Sequence, residues 1–339
     1  MRDAWLLGVA VVCLTAGCTA RTDREVVVYT ALDSEFSQPI LRRYEAKTGV
    51  PVRAKFDVEA NKTLGLTQEI IAEAGRPRCD VFWNNEILNT LRLEQRGLLE
   101  AYRPKMASAY PTLFRSPKGR WHGFAARARV LLINTESLGD RERPNSIYHL
   151  ADEKWRAKCG LAKPLFGTTA THVACLFAYL GDEKARKLLN DMKANEVRVF
   201  PGNKQVAQAV SSGQIVFGLT DTDDAMGEIE AGHPVEIVYP DQQQEEVGTL
   251  FIPNTLAIIK GSLHPEEARK LVDHLLTPEI EVELADGPSA QIPLSTKVDV
   301  ELRVATPRTV RAMEVDFYQA ADKWDVAARA ARDVFSRAD

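Results

Sequence analysis

Short β-branched and aromatic runs alternate along this chain with stretches whose apolar residues recur at helical spacing. Residues 25–30 (EVVVYT) have the length and composition of a strand, and in 31–47 Phe36, Ile40, Leu41 and Tyr44 repeat as one face of a helix. Gly49 closes that helix, and 50–56 reads as the next strand. Leu64, Thr67, Ile70 and Ile71 mark a helix over 61–74, and 79–83 reads as a third strand. The rhythm continues with a helix at 87–97, a strand at 130–134, helices at 169–180 and 182–195, a strand at 197–200 and a helix at 204–211. Strands at 215–219, 235–239 and 256–260 and helices at 265–276 and 278–285 follow. Strands alternating with helices predict parallel βαβ units and an α/β fold. No internal repeat or long linker interrupts the pattern, so two lobes would have to be joined by strands crossing between them.

The N-terminal segment does not fit this pattern. Residues 4–14 are an apolar run of the length of a signal-peptide core, and Thr15-Ala16-Gly17-Cys18 supplies small residues ending in cysteine. Residues 1–24 are therefore expected to be a signal peptide with a lipobox and a short tether, with Cys18 lipidated and the protein anchored in the periplasm or at the cell surface; the alternative is a plain secretory signal cut at an Ala-x-Ala-like site. The run falls short of the ~20 apolar residues that a bilayer-spanning helix needs. About 315 of the 339 residues remain, more than one hydrophobic core supports, which points to two lobes.

The formal net charge of -4 provides no basic field and sets nucleic-acid binding aside. Cys79, Cys159 and Cys175 match no zinc spacing; they allow at most one disulfide, and at least two are expected to be buried as small apolar residues.

In open α/β sheets ligands bind beyond the carboxyl ends of the strands. That rule selects 31–35, 83–86, 127–129, 167–172, 201–203 and 220–224. Within 164–172, Thr168 and Thr169 follow a glycine and open a helix, where free N–H groups, the helix dipole and two hydroxyls suit an anionic group; ordinary capping would account for one or two of the hydroxyls. Asn203, in a Pro-Gly-Asn turn at the next helix start, would donate its amide to the same anion or serve the turn alone. Asp221, Asp223 and Asp224 put three carboxylates within four residues, an arrangement that calls for a compensating cation. Alternatively, Asp224 caps a helix over 225–231 while the others are solvated; alternation would turn Thr222 and Asp224 away from Asp221 and Asp223. Arg127 and Arg129, just before the strand at 130–134, fall on one side, suited to an anion or to the Asp cluster; the competing reading is a simple surface pair. His172 lies inside a helix, where packing is its expected role.

Taken together, these segments resemble the ferric-iron-binding branch of periplasmic solute-binding proteins (extracellular solute-binding protein family 1). The resemblance covers about residues 25 to 300 and rests on Val27-Val-Tyr-Thr30, Asp80-Val-Phe-Trp-Asn-Asn-Glu86, Ala126-Arg-Ala-Arg-Val130 and Leu150-Ala-Asp-Glu-Lys-Trp155. It continues through Gly202-Asn-Lys-Gln-Val-Ala-Gln-Ala-Val210, Pro265-Glu-Glu-Ala-Arg-Lys-Leu-Val272 and Ala290-Gln-Ile-Pro-Leu294. It implies a type II periplasmic binding fold of two α/β lobes joined by a hinge of crossing strands, expected at 25–126 plus 252–298 and at 127–251 plus 299–339. It also implies the permease and ATPase subunits of an ABC importer as partners. Where that family carries adjacent iron-binding tyrosines this chain has Asp223 and Asp224, its histidine position is Asp33, and its glutamate falls at about Asn85, next to Glu86. The family's anion positions match as Thr168, Thr169 and Asn203.

The sequence thus predicts a monomeric, non-catalytic binding protein without a cofactor, a metal ion entering only as transported ligand. Thr168, Thr169, Asn203 and Arg127 would take an anionic group, and Asp33, Glu86, Asp221, Asp223 and Asp224 a cationic one, with a metal resting on Asp223 and Asp224. A metal ion with a bound anion and an organic phosphate or phosphonate both satisfy this pattern. The rival of another class is a phosphatase-like hydrolase with an Asp of 220–224 and His172 as acid/base.

Overall fold

The computed structural model describes residues 24–57 and 64–335; Cys18 and its lipobox lie outside them. In the first βαβ unit, β1 (Val26–Thr30) leads into α1 (Ser34–Thr48), which buries Ser37, Ile40, Leu41 and Tyr44 on one face. Gly49 ends α1 in the left-handed conformation (φ 68°), its N–H donating to the carbonyl of Glu45. The chain returns as β2 (Val52–Phe56), then α2 (Leu64–Ala72), β3 (Val81–Asn84) and α3 (Leu88–Gln95). β1 lies between β2 and β3, parallel to both.

The strand expected at 130–134 is much longer: β4 runs His122–Asn134 and is buried along its whole length. Arg127 and Arg129 therefore lie inside a strand rather than before one. After α4 (Thr135–Leu138) come β5 (Cys159–Ala162), α5 (Gly167–Leu180), α6 (Asp182–Ala194), β6 (Arg198–Phe200), α7 (Asn203–Ser211) and β7 (Phe217–Asp221). α8 (Thr222–Glu230), β8 (Val235–Val238), β9 (Phe251–Ile258), α9 (Pro265–Leu275), α10 (Pro278–Asp286) and α11 (Phe317–Phe335) complete the fold. β7 ends two residues later than the sequence pattern predicts, because Thr220 and Asp221 continue the pairing with β4. α8 accordingly starts at Thr222, so Asp224 sits in its first turn instead of capping a helix at 225.

The strand order is β2-β1-β3-β9-β4-β7-β5-β6, with β8 also against β4. β4 joins the two halves. Residues 122–128 pair antiparallel with β9, which continues to β3, whereas 129–134 pair with β7 and β8. β5, β6 and β7 form a second parallel set. α11, which the sequence pattern did not reveal, packs along α5 and also touches α6 and α3. Much of its buried face is alanine (Ala320, Ala321, Ala327, Ala330 and Ala331), so close helix approach replaces the strong apolar stripe that pattern reading relies on. Cys79, Cys159 and Cys175 are buried and free, and no helix among the described residues is long and apolar enough to cross a membrane.

Candidate functional site: an acidic cleft at the strand ends

A cavity of about 370 Å³ opens where the carboxyl ends of the parallel strands converge. Its lining takes Asp33 from beyond β1, Asp57 from beyond β2, Asn85 from beyond β3 and Arg127 from β4. From the other half come Thr168 and Thr169 after β5, Asn203 after β6, Asp221 at the end of β7, and Asp223 and Asp224 just beyond it. α1, α5, α7 and α8 all begin at this cavity, so four positive helix ends face the carboxylates and offset part of their mutual repulsion.

The polar centre is a closed network. Arg129 and Asp221 are cross-strand partners in the β4–β7 pair, and Arg129 Nη1 lies 2.7 Å from Asp221 Oδ1. Both are buried, with side chains 0% and 3% exposed. Thr168 Oγ1 donates to Asp221 Oδ2 at 2.5 Å, and Asn203 Nδ2 donates to the same oxygen at 3.0 Å and to Thr168 Oγ1 at 2.9 Å. Thr169 Oγ1 accepts from Arg129 Nη2 and donates to Asn203 Oδ1, each at 3.2 Å. The residues read as an anion site are thus brought together, and the carboxylate they surround is the protein's own.

Arg127 turns to Asp223, with Nη1 3.3 Å from Oδ2 and side chains 4% and 6% exposed. Burial works against the guanidinium charge, but Asp223, Asp221, Asp33 and Asp224 outweigh it and hold the Arg127 pKa above its ordinary value. Arg127 is a counter-charge in the cluster, not a partner of Thr168 and Thr169 as expected for the anion. Asp221, Asp223 and Asp224 each bring a carboxylate oxygen within 4.8 Å of the others, against the expectation that alternation would separate them. The helix start at Thr222 explains this, because successive residues of a first turn fan around one helix end.

Glu86 requires a correction. Fully buried, it accepts from the backbone N–H groups of Leu88 and Asn89, from Asn84 Nδ2 and from Thr171 Oγ1, and it is absent from the cavity wall. It closes the start of α3, and those donors occupy the lone pairs that a cation would need. Its neighbour Asn85 lines the cavity instead, with the side-chain oxygen buried and without a hydrogen-bond partner. Asp57 also went unforeseen; applying the strand-end rule to the strand at 50–56 would have found it. His172 is buried on α5 with neither ring nitrogen hydrogen-bonded, and burial and then nearby Arg129 lower its pKa to about 3. It lies outside the cavity wall and gives no support to the acid/base role of the hydrolase reading.

Comparison with known proteins agrees with this architecture. Residues 89–320 match the family described as bacterial extracellular solute-binding protein. Iron uptake protein A1 of Synechocystis sp. is 23% identical over 298 residues, 85% of this chain and 81% of that protein. Iron-bound HitA from Pseudomonas aeruginosa superimposes with a TM-score of 0.83 at 22% identity, covering 92% of this chain and 99% of the other. The periplasmic binding protein AfuA from Actinobacillus pleuropneumoniae, with exogenous fructose-6-phosphate bound, gives 0.82 at 21% identity, covering 93% and 99%. These superpositions establish the periplasmic-binding-protein fold that the sequence implied. With two thirds of its length matched by the family, the chain belongs to the bacterial extracellular solute-binding proteins.

Proposed function

We propose that the protein is the ligand-capturing subunit of an ABC importer and that its ligand is a metal ion, iron foremost, held by Asp223 and Asp224 with Asp33 and Asn85. The observation that carries this reading is the convergence of three carboxylates within 4.8 Å in the cleft of a solute-binding fold, on a cavity wall that also holds the unpartnered oxygen of Asn85. Arg127 and Arg129 offset part of the repulsion within this cluster, and a cation entering beside Asp223 and Asp224 would relieve more of it. The printed names of relatives support iron: iron uptake protein A1 and the major ferric iron-binding protein of Neisseria meningitidis, the latter 24% identical over 275 residues. An all-oxygen site of carboxylates and an amide is hard and accommodates divalent cations readily.

In this reading the lobes are 25–126 plus 252–298 and 127–251 plus 299–339, because β4 changes partners from β9 to β7 between Ala128 and Arg129. Metal binding draws the cleft residues of both lobes together, and the closed monomer is presented to the permease and ATPase. Cys18 anchors the chain through acyl groups, and no turnover occurs. A second reading, an organic phosphate, is favoured by Lys163 and Lys204 on the cavity wall and by the sugar phosphate bound to AfuA. Small-angle scattering separates the two. Compaction on adding ferrous or manganous chloride, lost in Asp223→Asn with Asp224→Asn, supports the metal; compaction with a sugar phosphate alone supports the alternative.

A further inference from the structure

The side-chain hydroxyl and amide donors of Thr168, Thr169 and Asn203 are already engaged within the protein. Thr168 and Thr169 each have one hydroxyl hydrogen, and the Asn203 amide has two. Thr168 gives its hydrogen to Asp221, Thr169 gives its own to Asn203 Oδ1, and Asn203 gives one to Asp221 and one to Thr168. All four are committed inside the network. Arg129 spends its Nη1 side on Asp221, Thr168 and Asn203, and Nη2 reaches Thr169. Lys204 at the rim lies 3.6 Å from Glu35, and Lys163 lies over the Phe166 ring.

An incoming anion would have to displace Asp221, a buried carboxylate already holding the same donors as a charged, multiply hydrogen-bonded acceptor. That exchange strands Asp221 unpaired in the interior and leaves a second negative charge beside Asp223 and Asp224, both unfavourable. Toward the cavity the chain also presents acceptors: the carboxylates of Asp223 and Asp224, each already engaged within the protein, and the buried, unpartnered oxygen of Asn85.

We infer that the anionic part of the binding chemistry is built into the chain: the Asp221 carboxylate fills the place an exogenous anion would take among Thr168, Thr169, Asn203 and Arg129, so the cation is captured without a co-bound anion. The inference rests on the metal-ion reading, and it makes Asp221 a specificity-determining residue that keeps phosphate and carboxylate groups away from Thr168, Thr169, Asn203 and Arg129.

The test measures calorimetric titration with manganous chloride and with ferrous chloride under argon, with and without added phosphate or formate, and thermal unfolding with the anions alone. For the unaltered protein we expect the same metal affinity in every buffer and no shift of the unfolding midpoint with phosphate or formate. Asp221→Ala should weaken metal binding, and formate should recover roughly tenfold or more, the value of one hydrogen bond to a charged group. Formate or phosphate alone should raise the midpoint of this variant. If Asp221→Ala folds only when formate is present, that rescue is itself the expected result. Metal binding by the unaltered protein that needs an added anion, or its stabilisation by phosphate or formate alone, overturns the inference. An unaltered protein that binds neither metal in any buffer contradicts the metal reading, while the anion-only arm still decides whether Asp221 occupies the anion place.

Discussion

Arg129 and Asp221 face each other across the β4–β7 pair and close a 2.7 Å ion pair that solvent barely reaches. Position on adjacent strands brings the two together, so the contact is set by sheet register rather than by flexible surface side chains. Removing one partner leaves the other charge buried and unpaired. Asp221→Ala and Arg129→Met should each destabilise the ligand-free protein by about 3–5 kcal/mol in anion-free buffer. The double variant should lose clearly less than the sum. Strict additivity in urea unfolding would show that the two do not act as a pair.

Among the described residues no tyrosine lines the cleft, and the positions where the resembled family carries tyrosines hold Asp223 and Asp224. Carboxylates lack the phenolate-to-iron charge-transfer band, so adding ferric iron should give no intense visible colour. An absorption maximum in the visible range that titrates to one iron per chain would place a tyrosine in the site and contradict the ligand assignment.

Glu86 separates packing from binding. Its four donors tie the start of α3 to Asn84 and to Thr171 of α5. Glu86→Gln replaces one acceptor oxygen with an NH₂ among donors and should lower stability by about 1–3 kcal/mol. Metal affinity measured by calorimetry should be unchanged; a loss of affinity exceeding the loss of stability would return Glu86 to the site.

His172 sets a pH dependence. In the folded chain burial and then Arg129 lower its pKa to about 3, whereas an unfolded histidine titrates near 6.5. As pH falls from about 6.5 toward 3, the unfolded state takes up a proton that the folded state refuses. The contribution is therefore complete above 6.5 and lost through that window, on the order of 5 kcal/mol in all. His172→Leu should flatten the fall in unfolding free energy between neutral and acid pH. An unchanged slope would mean that carboxylates carry the whole effect.

How far the sequence reaches depends on which physical signal each element leaves. The βαβ rhythm is legible because apolar spacing differs between strands and helices, and the strand-end rule alone gathers Asp33, Thr168, Asn203 and the Asp cluster into one cleft. Three features are not legible. β4 is buried on both faces, so its first half shows no alternation and the run AARAR reads as a polar approach to a strand. The shift of β7 to Asp221 depends on pairing with β4, a long-range contact with no local mark. Glu86 and Asn85 are adjacent acceptors, and only the start of α3 decides which one turns inward.

The proposed lipidation of Cys18 is open to a direct check. Changing Cys18 to Ser should move the protein from the membrane to the soluble fraction. A wild type already soluble, with a mature N-terminus elsewhere, would contradict lipidation at Cys18.

The most direct test of the account is elemental analysis together with native mass spectrometry on protein purified from its own cell envelope without chelators. The account predicts one metal ion per chain, iron foremost, no additional mass from phosphate or another anion, and loss of the metal in Asp223→Asn with Asp224→Asn. A chain free of metal that carries an organic phosphate would contradict it.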